Sequence, residues 1–142
     1  MPKLKSTRAP RPPRYRRLTA WQAAHELTLA IYRITLTWPR DRAPVGDELR
    51  AAVTAAATAI VIGSVEPDAA GFRLQLRCAL GKLARVDSTW QLAHDLQFVN
   101  SETWGEIEAK RDHAERLTRG LYVAIGRKSA NGRAGVAGRL SA

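Results

Sequence analysis

Three histidines, one cysteine and a surplus of arginine are the groups through which this chain could do chemistry. His25, His94 and His113 each adjoin a carboxylate, Glu26, Asp95 and Asp112 respectively. Neighbours in sequence point about a quarter-turn apart on a helix, so none of these is a ready-made acid–base pair. A di-metal centre in a helical bundle takes Glu-x-x-His pairs from two helices, and no glutamate here has a histidine three residues later. Cys78 lies among apolar residues, where a thiol stays protonated and unreactive, and packing in the core is its expected role. As the lone cysteine it excludes an intramolecular disulfide and a multi-cysteine zinc site, which suits a reducing compartment. Gly126-Arg127-Lys128-Ser129 lacks the preceding strand, the glycine spacing and the Gly-Lys step of a phosphate loop. The expectation is a protein that is not an enzyme, with no catalytic residue, no metal and no cofactor.

The arginines point elsewhere. The chain has 142 residues and a formal net charge of +10, long enough for one domain with a real core. Lys3, Lys5, Arg8, Arg11, Arg14, Arg16 and Arg17 stand in an acid-free start, and Arg127, Lys128, Arg133 and Arg139 in an acid-free end. All the acids lie between Leu18 and Gly126, where they nearly balance the remaining lysine and arginine. The whole excess belongs to the ends. Residues 1–17, broken by Pro2, Pro10, Pro12 and Pro13, and residues 127–142, rich in Gly, Ser and Ala, cannot bury enough apolar surface to offset their ordering, so both are expected to be disordered. Basic arms of this kind neutralise polyanions, phosphate backbones above all, with binding that weakens as salt rises. The competing reading is a solubilising tail.

Between the arms the pattern is helical. Thr19 can cap a first helix with Gln22 reaching back, and Trp21, Ala24, Leu27, Ile31, Ile34 and Trp38 recur at helical spacing until Pro39 stops it. Trp38 to Glu48 carries two prolines, a glycine and mixed charge, which is loop chemistry, with Asp47 and Glu48 suited to the positive end of the next helix. In that second helix Val45, Leu49, Ala52, Val53, Ala56 and Ile60 form a stripe, yet Ala51 to Val65 carries no charge on any face. A helix apolar all round is buried all round, and three neighbours in a bundle cannot enclose it, so a second copy is the expected cover, through Ala55, Ala59, Val61 and Ile62. The run is shorter than the roughly 20 residues of a bilayer span, and the charged start is not a secretory signal. The protein is therefore expected in the cytoplasm, with no membrane partner.

Pro67 and Asp68 open a third helix with the stripe Phe72, Leu76, Ala79, Leu83, Val86, Trp90 and Ala93. Cys78, Gly81 and Ser88 on its flank are small enough to admit a neighbouring backbone. Asn100, Ser101 and Glu102 mark a new start, and Trp104, Ile107, Ala114, Leu117, Leu121 and Ile125 define a fourth helix ending near Gly126. No segment alternates like a strand. The fold class is all-α, an antiparallel up-down four-helix bundle over residues 18–126.

The segments Ala20 to Leu27, Trp38-Pro39, Glu48 to Ala52 and Phe72 to Gly81 resemble the four-helix-bundle proteins encoded in intervening sequences of bacterial large-subunit ribosomal RNA genes. Pro39-Arg40-Asp41 with Gly46-Asp47, and Leu92 to Leu96, look like the related accessory proteins of diversity-generating retroelements. The resemblance implies a homopentameric ring, no catalytic activity and, for the retroelement branch, RNA and a reverse transcriptase as partners. The chain departs from the ribosomal-gene branch at Ala59-Ile60-Val61-Ile62-Gly63, where that branch carries Asn-Ile-Ala-Glu-Gly, and at Gly81 to Asp87, where Lys82 and Arg85 replace a serine and a glutamate.

The expected function is thus a non-catalytic, RNA-binding homo-oligomer that assists a reverse transcriptase. The alternative is a protein interaction scaffold with incidental basic tails. The expected nucleic-acid-binding residues are Arg11, Arg14, Arg16 and Arg17 of the arm, Arg73, Arg77, Lys82 and Arg85 of the third helix, and Lys110, Arg111, Arg116 and Arg119 of the fourth.

Overall fold

Apolar residues recurring every three to four positions demand helices that share a core, and four helices follow one another in the computed structural model, which describes residues 9–140 with side chains through residue 132. They are α1 Thr19–Thr35, α2 Ala43–Ser64, α3 Ala69–Asp95 and α4 Ser101–Leu140, with short 3-10 turns at Arg14–Arg17 and Arg40–Arg42. Each helix packs on the next, and α4 closes back on α1, while among the described residues no Cα of α1 comes within 8 Å of α3, nor one of α2 within 8 Å of α4. That is the cyclic order of an up-down bundle. No strand occurs among the described residues.

Burial follows the period of the sequence most faithfully in α3, where all seven expected stripe residues are buried. In α2 the stripe from Leu49 to Ile60 is buried, and Val45 is half-buried. Two apolar clusters result. Leu27, Ile31, Leu49, Val86 and Trp90 lie in the one nearer the α3–α4 connection, and Ala20, Ala24, Ile60, Phe72 and Leu76 in the one nearer the chain start. Trp90 is fully buried, and its Nε1–H donates to the Trp104 carbonyl at 3.0 Å, which satisfies its polar edge. Thr118, unremarked in the apolar stripe of α4, is fully buried and donates its hydroxyl to the Ala114 carbonyl at 2.7 Å.

The helix ends differ from expectation in several places. Leu18, not Thr19, is the cap of α1, and it makes no side-chain cap. Gln22 does reach back, but its Nε2–H donates to the Arg16 carbonyl at 2.8 Å. α1 stops at Thr35, before Trp38, and α2 starts at Ala43 with Pro44 in its first turn, so Asp47 and Glu48 sit one turn inside. Asp68 caps α3, accepting from the Gly71 N–H at 2.7 Å, and Asn100 accepts from the Thr103 N–H at 2.7 Å before α4.

Two larger corrections concern α3 and α4. Cys78 is exposed rather than in the core, and Gly81 and Ser88 beside it are exposed too. A Cβ at Gly81 would meet nothing within 4 Å, so no backbone approaches there. α4 continues past Gly126 to Leu140. No proline interrupts it, and once a helix is nucleated each further residue adds a hydrogen bond. At the other end, the arm read as disordered through Arg17 finishes in the 3-10 turn Arg14–Arg17. The expectations for residues 1–8 and 141–142 lie outside the described residues.

The close approach that Gly81 does not make is made by Gly63, where a Cβ would sit 2.9 Å from Phe72 Cδ1 and 3.1 Å from Gln75 Cβ. Gly63→Ala is expected to destabilise the fold by about 1–2 kcal/mol, overpacking outweighing the gain in helix propensity. Gly81→Ala, with open space around it, is expected to stabilise by roughly 0.5–1 kcal/mol. Urea unfolding midpoints of the two variants check both signs.

Candidate nucleic-acid interface

The arm reaches the bundle through aromatic contacts. Pro13 leads into the turn Arg14–Arg17, and Tyr15 meets the ring of Trp21 edge-on, centroids 4.9 Å apart. The Arg14 guanidinium carbon lies 5.9 Å from the Phe72 ring centre, and that of Arg16 lies 5.9 Å from the Tyr15 ring. With Gln22 tying the Arg16 carbonyl, the exposed Arg14, Arg16 and Arg17 are held at the end of the bundle where α1 begins. Arg11 is exposed in the extended segment before them.

Arg73 is held at the same end by α4. Its guanidinium carbon stands 4.0 Å from the Tyr122 ring centre, and Nε–H donates to the Tyr122 carbonyl at 3.3 Å. Gly126 makes the room: a Cβ there would come within 2.8 Å of Arg73 Cζ. The glycine read as a helix stop is thus the position at which α4 admits an arginine from α3. Arg77, one turn further on and exposed, lines with Arg73, Tyr122 and Ser129 a pocket of about 380 Å³.

The remaining expected cations are placed differently. Lys82 is half-buried along a groove beside α2, and Arg85 donates to Glu48 Oε1 at 2.7–2.9 Å. Arg111 is committed within the bundle: its side chain is only 11% exposed and is paired with Asp87 at 3.2 Å, Glu108 at 3.4 Å and Glu115 at 2.6 Å. Arg119 pairs with Glu115 at 2.9 Å and Arg116 with Asp112 at 3.0 Å, so the cations of α4 are largely answered by its own acids. Lys110 is exposed on α4.

Around Arg111 the carboxylates titrate apart. Burial, then a hydrogen bond with Asp87, pushes the Glu108 carboxyl up against the pull of Arg111. Hydrogen bonds from Arg111 and then Arg119 hold the Glu115 carboxyl below its ordinary value. Burial works against the Arg111 charge, but the hydrogen bonds it donates to Glu115 and Glu108 outweigh that and raise it.

None of the histidines joins a metal site, and no group of three or more His, Cys, Asp or Glu among the described residues could hold an ion. His94 lies 4.8 Å from the Trp104 ring, its Nδ1 3.7 Å from Asp95 Oδ1, too long for a hydrogen bond. His113 is exposed on α4. His25 stacks on Trp21, centroids 4.6 Å apart and planes within 16°. Tyr15, Trp21, His25 and Tyr122 were not expected in the interface. The four-residue step from Trp21 to His25 is the signal that places those two rings together on a helix.

The expected oligomer surface divides as well. Ala59 is covered by its own chain at 7% exposure, in the cluster of Ile60 and Phe72. Ala55 and Ile62, the latter 43% exposed, line an apolar groove of about 480 Å³ between α2 and α3 with Ala51, Thr58 and Cys78. Val61 is half-buried and lies outside that groove.

Comparison with protein families matches residues 16–120 to the one described as 23S rRNA-intervening sequence protein. Comparison with curated proteins finds no match. The matched range begins at Arg16, so it takes in the anchored end of the arm. No described helix is long and apolar enough to cross a membrane.

Replacing Arg111 with methionine takes their cation from Asp87 and Glu108 and leaves Glu115 with Arg119 alone. Because Asp87 and Glu115 keep partial water contact, the loss is expected at about 2 kcal/mol near neutral pH, below the roughly 3–5 of a fully buried pair. The depressed Glu115 carboxyl contributes stability above its ordinary value of 4.5 and loses it as pH falls through the lowered value. The gap between wild type and Arg111→Met therefore narrows as the pH drops below that window, which thermal unfolding across pH checks.

Proposed function

Because the chain belongs to the family of 23S rRNA-intervening sequence proteins, we propose that it is a non-catalytic RNA-binding homo-oligomer. The observation that carries the reading is the gathering of Arg14, Arg16, Arg17, Arg73 and Arg77 at one end of the bundle. Among the described residues none of these five is ion-paired, whereas Arg111, Arg116 and Arg119 are. Cations left without counter-charges are the ones that gain most from phosphate. The family description, which refers to ribosomal RNA, agrees with an RNA-related role.

The finer role, an accessory protein to the reverse transcriptase of a diversity-generating retroelement, rests on the motif resemblance of Pro39 to Asp47 and Leu92 to Leu96. In this fold those residues build turns and packing: a Cβ on Gly46 would lie 3.5 Å from both Thr35 and Trp38. Homo-oligomerisation is supported by the groove beside α2, whose exposed Ile62 and small neighbours offer an apolar subunit contact with Lys82 at its edge, and the pentameric ring rests on the family resemblance. Repeating the arginine-rich end around a ring would multiply weak contacts by avidity.

If about four of these arginines engage phosphates, affinity for single-stranded RNA is expected to fall about 50-fold between roughly 50 and 200 mM salt. Fluorescence anisotropy of the full-length protein measures this, and binding indifferent to salt would favour a scaffold with incidental basic tails. Independently, light scattering is expected to give a mass several times that of one chain. Ile62→Asp, which would bury an unpaired charge between subunits, should reduce it to the monomer at little cost to the unfolding temperature.

A further inference from the structure

We propose that the Tyr15–Trp21–His25 stack is a docking platform for an unpaired RNA base, with Arg16 and Arg17 taking the adjoining phosphates. This deepens the RNA-binding reading and rests on it. Each link of the platform is a short contact: Arg16 Cζ to the Tyr15 ring at 5.9 Å, Tyr15 to Trp21 at 4.9 Å, and Trp21 to His25 at 4.6 Å. The last pair is nearly parallel, with planes 16° apart, and His25 is exposed. A flat ring at the open end of a supported stack has the geometry of the aromatic surfaces on which proteins stack splayed-out bases.

The layout favours single strands over duplex. Bases in a duplex are stacked on one another and offer no free face to a protein ring, whereas loops and ends do. The support is graded in the way a platform needs. Trp21 is half-buried against the cluster of Phe72 and Ile60, Tyr15 is half-buried against Trp21, and of the three rings His25 is the exposed one. The Gln22 hydrogen bond to the Arg16 carbonyl fixes the backbone there, and the Arg16 guanidinium carbon lies 5.9 Å from the Tyr15 ring centre. Glu26, the sequence neighbour of His25, points about a quarter-turn away on α1 and does not lie in the stack.

The test uses full-length protein and labelled oligoadenylate about 12 nucleotides long, within the span of a single stacking groove, alongside a duplex of the same length. His25→Ala is expected to weaken oligoadenylate binding by about 5- to 100-fold, the range found for removing one base-stacking ring, and to leave duplex binding within about twofold. His25→Phe, which keeps the flat ring and removes the nitrogens, is expected to retain binding. Circular dichroism of both variants should match wild type, because position 25 is exposed. Unchanged oligoadenylate affinity in His25→Ala overturns the platform, as does equal loss on single strand and duplex. Loss in His25→Phe as large as in His25→Ala also overturns it, by assigning the residue a polar rather than a stacking role. A wild-type protein that binds neither RNA overturns the RNA-binding reading itself, an outcome distinct from the other three.

Discussion

Phe72 seated on Gly63 is the contact from which the organisation of this bundle proceeds. The ring is buried, lies where a Cβ on Gly63 would intrude, and belongs to the same cluster as Ala20, Ala24 and Ile60. Small residues on α2 permit that approach, and the approach brings the start of α3 beside the start of α1. Everything basic at that end depends on it. Arg14 lies over the Phe72 ring, Arg73 follows Phe72 in sequence and crosses to Tyr122, and Trp21 packs against the same cluster. The alanine and glycine content of α2 thus sets where the arginines of the arm and of α3 converge.

Charge has two uses in this molecule. Along α4 it is spent internally: Arg111 satisfies three carboxylates in a half-buried setting, and Arg116 and Arg119 each answer an acid one turn away. Of these only Arg111–Asp87 joins two helices, α4 to α3, and the net contribution of such pairs to stability is modest because desolvation opposes attraction. At the end where α1 and α3 begin, the arginines meet aromatic faces instead of carboxylates. A ring positions a guanidinium without cancelling its charge. The difference between a neutralised and an available arginine is therefore made by its neighbour, and composition alone does not distinguish the two.

That is also why the sequence was legible in some respects and opaque in others. Helical period fixed the α3 stripe completely, since a residue's face follows from its spacing whatever it touches. Asp68 and Asn100 were readable as breaks because short polar side chains satisfy free N–H groups locally. Cys78 and Gly81 were misplaced because size says that a close approach is possible, not that one occurs. Gly126 was read as a stop because glycine commonly ends helices, whereas here it makes room for Arg73. Arg111 looked like its neighbours, and only the three-dimensional meeting of Asp87 with Glu108 and Glu115 reveals that it is committed.

The uncharged run of α2 carries a further consequence. Its inner face is fully used by Leu49, Val53, Ala56 and Ile60, and its outer flank, from Ala51 past Ala55 to Ile62, remains a groove that one chain does not fill. The anchored turn Arg14–Arg17 packs against α1 and touches α2 as well, and Arg14 lies over the Phe72 ring of α3. The lining of the groove includes none of Arg14, Arg16, Arg17, Arg73 and Arg77, so an apolar contact made there and a phosphate held by those arginines would use different side chains.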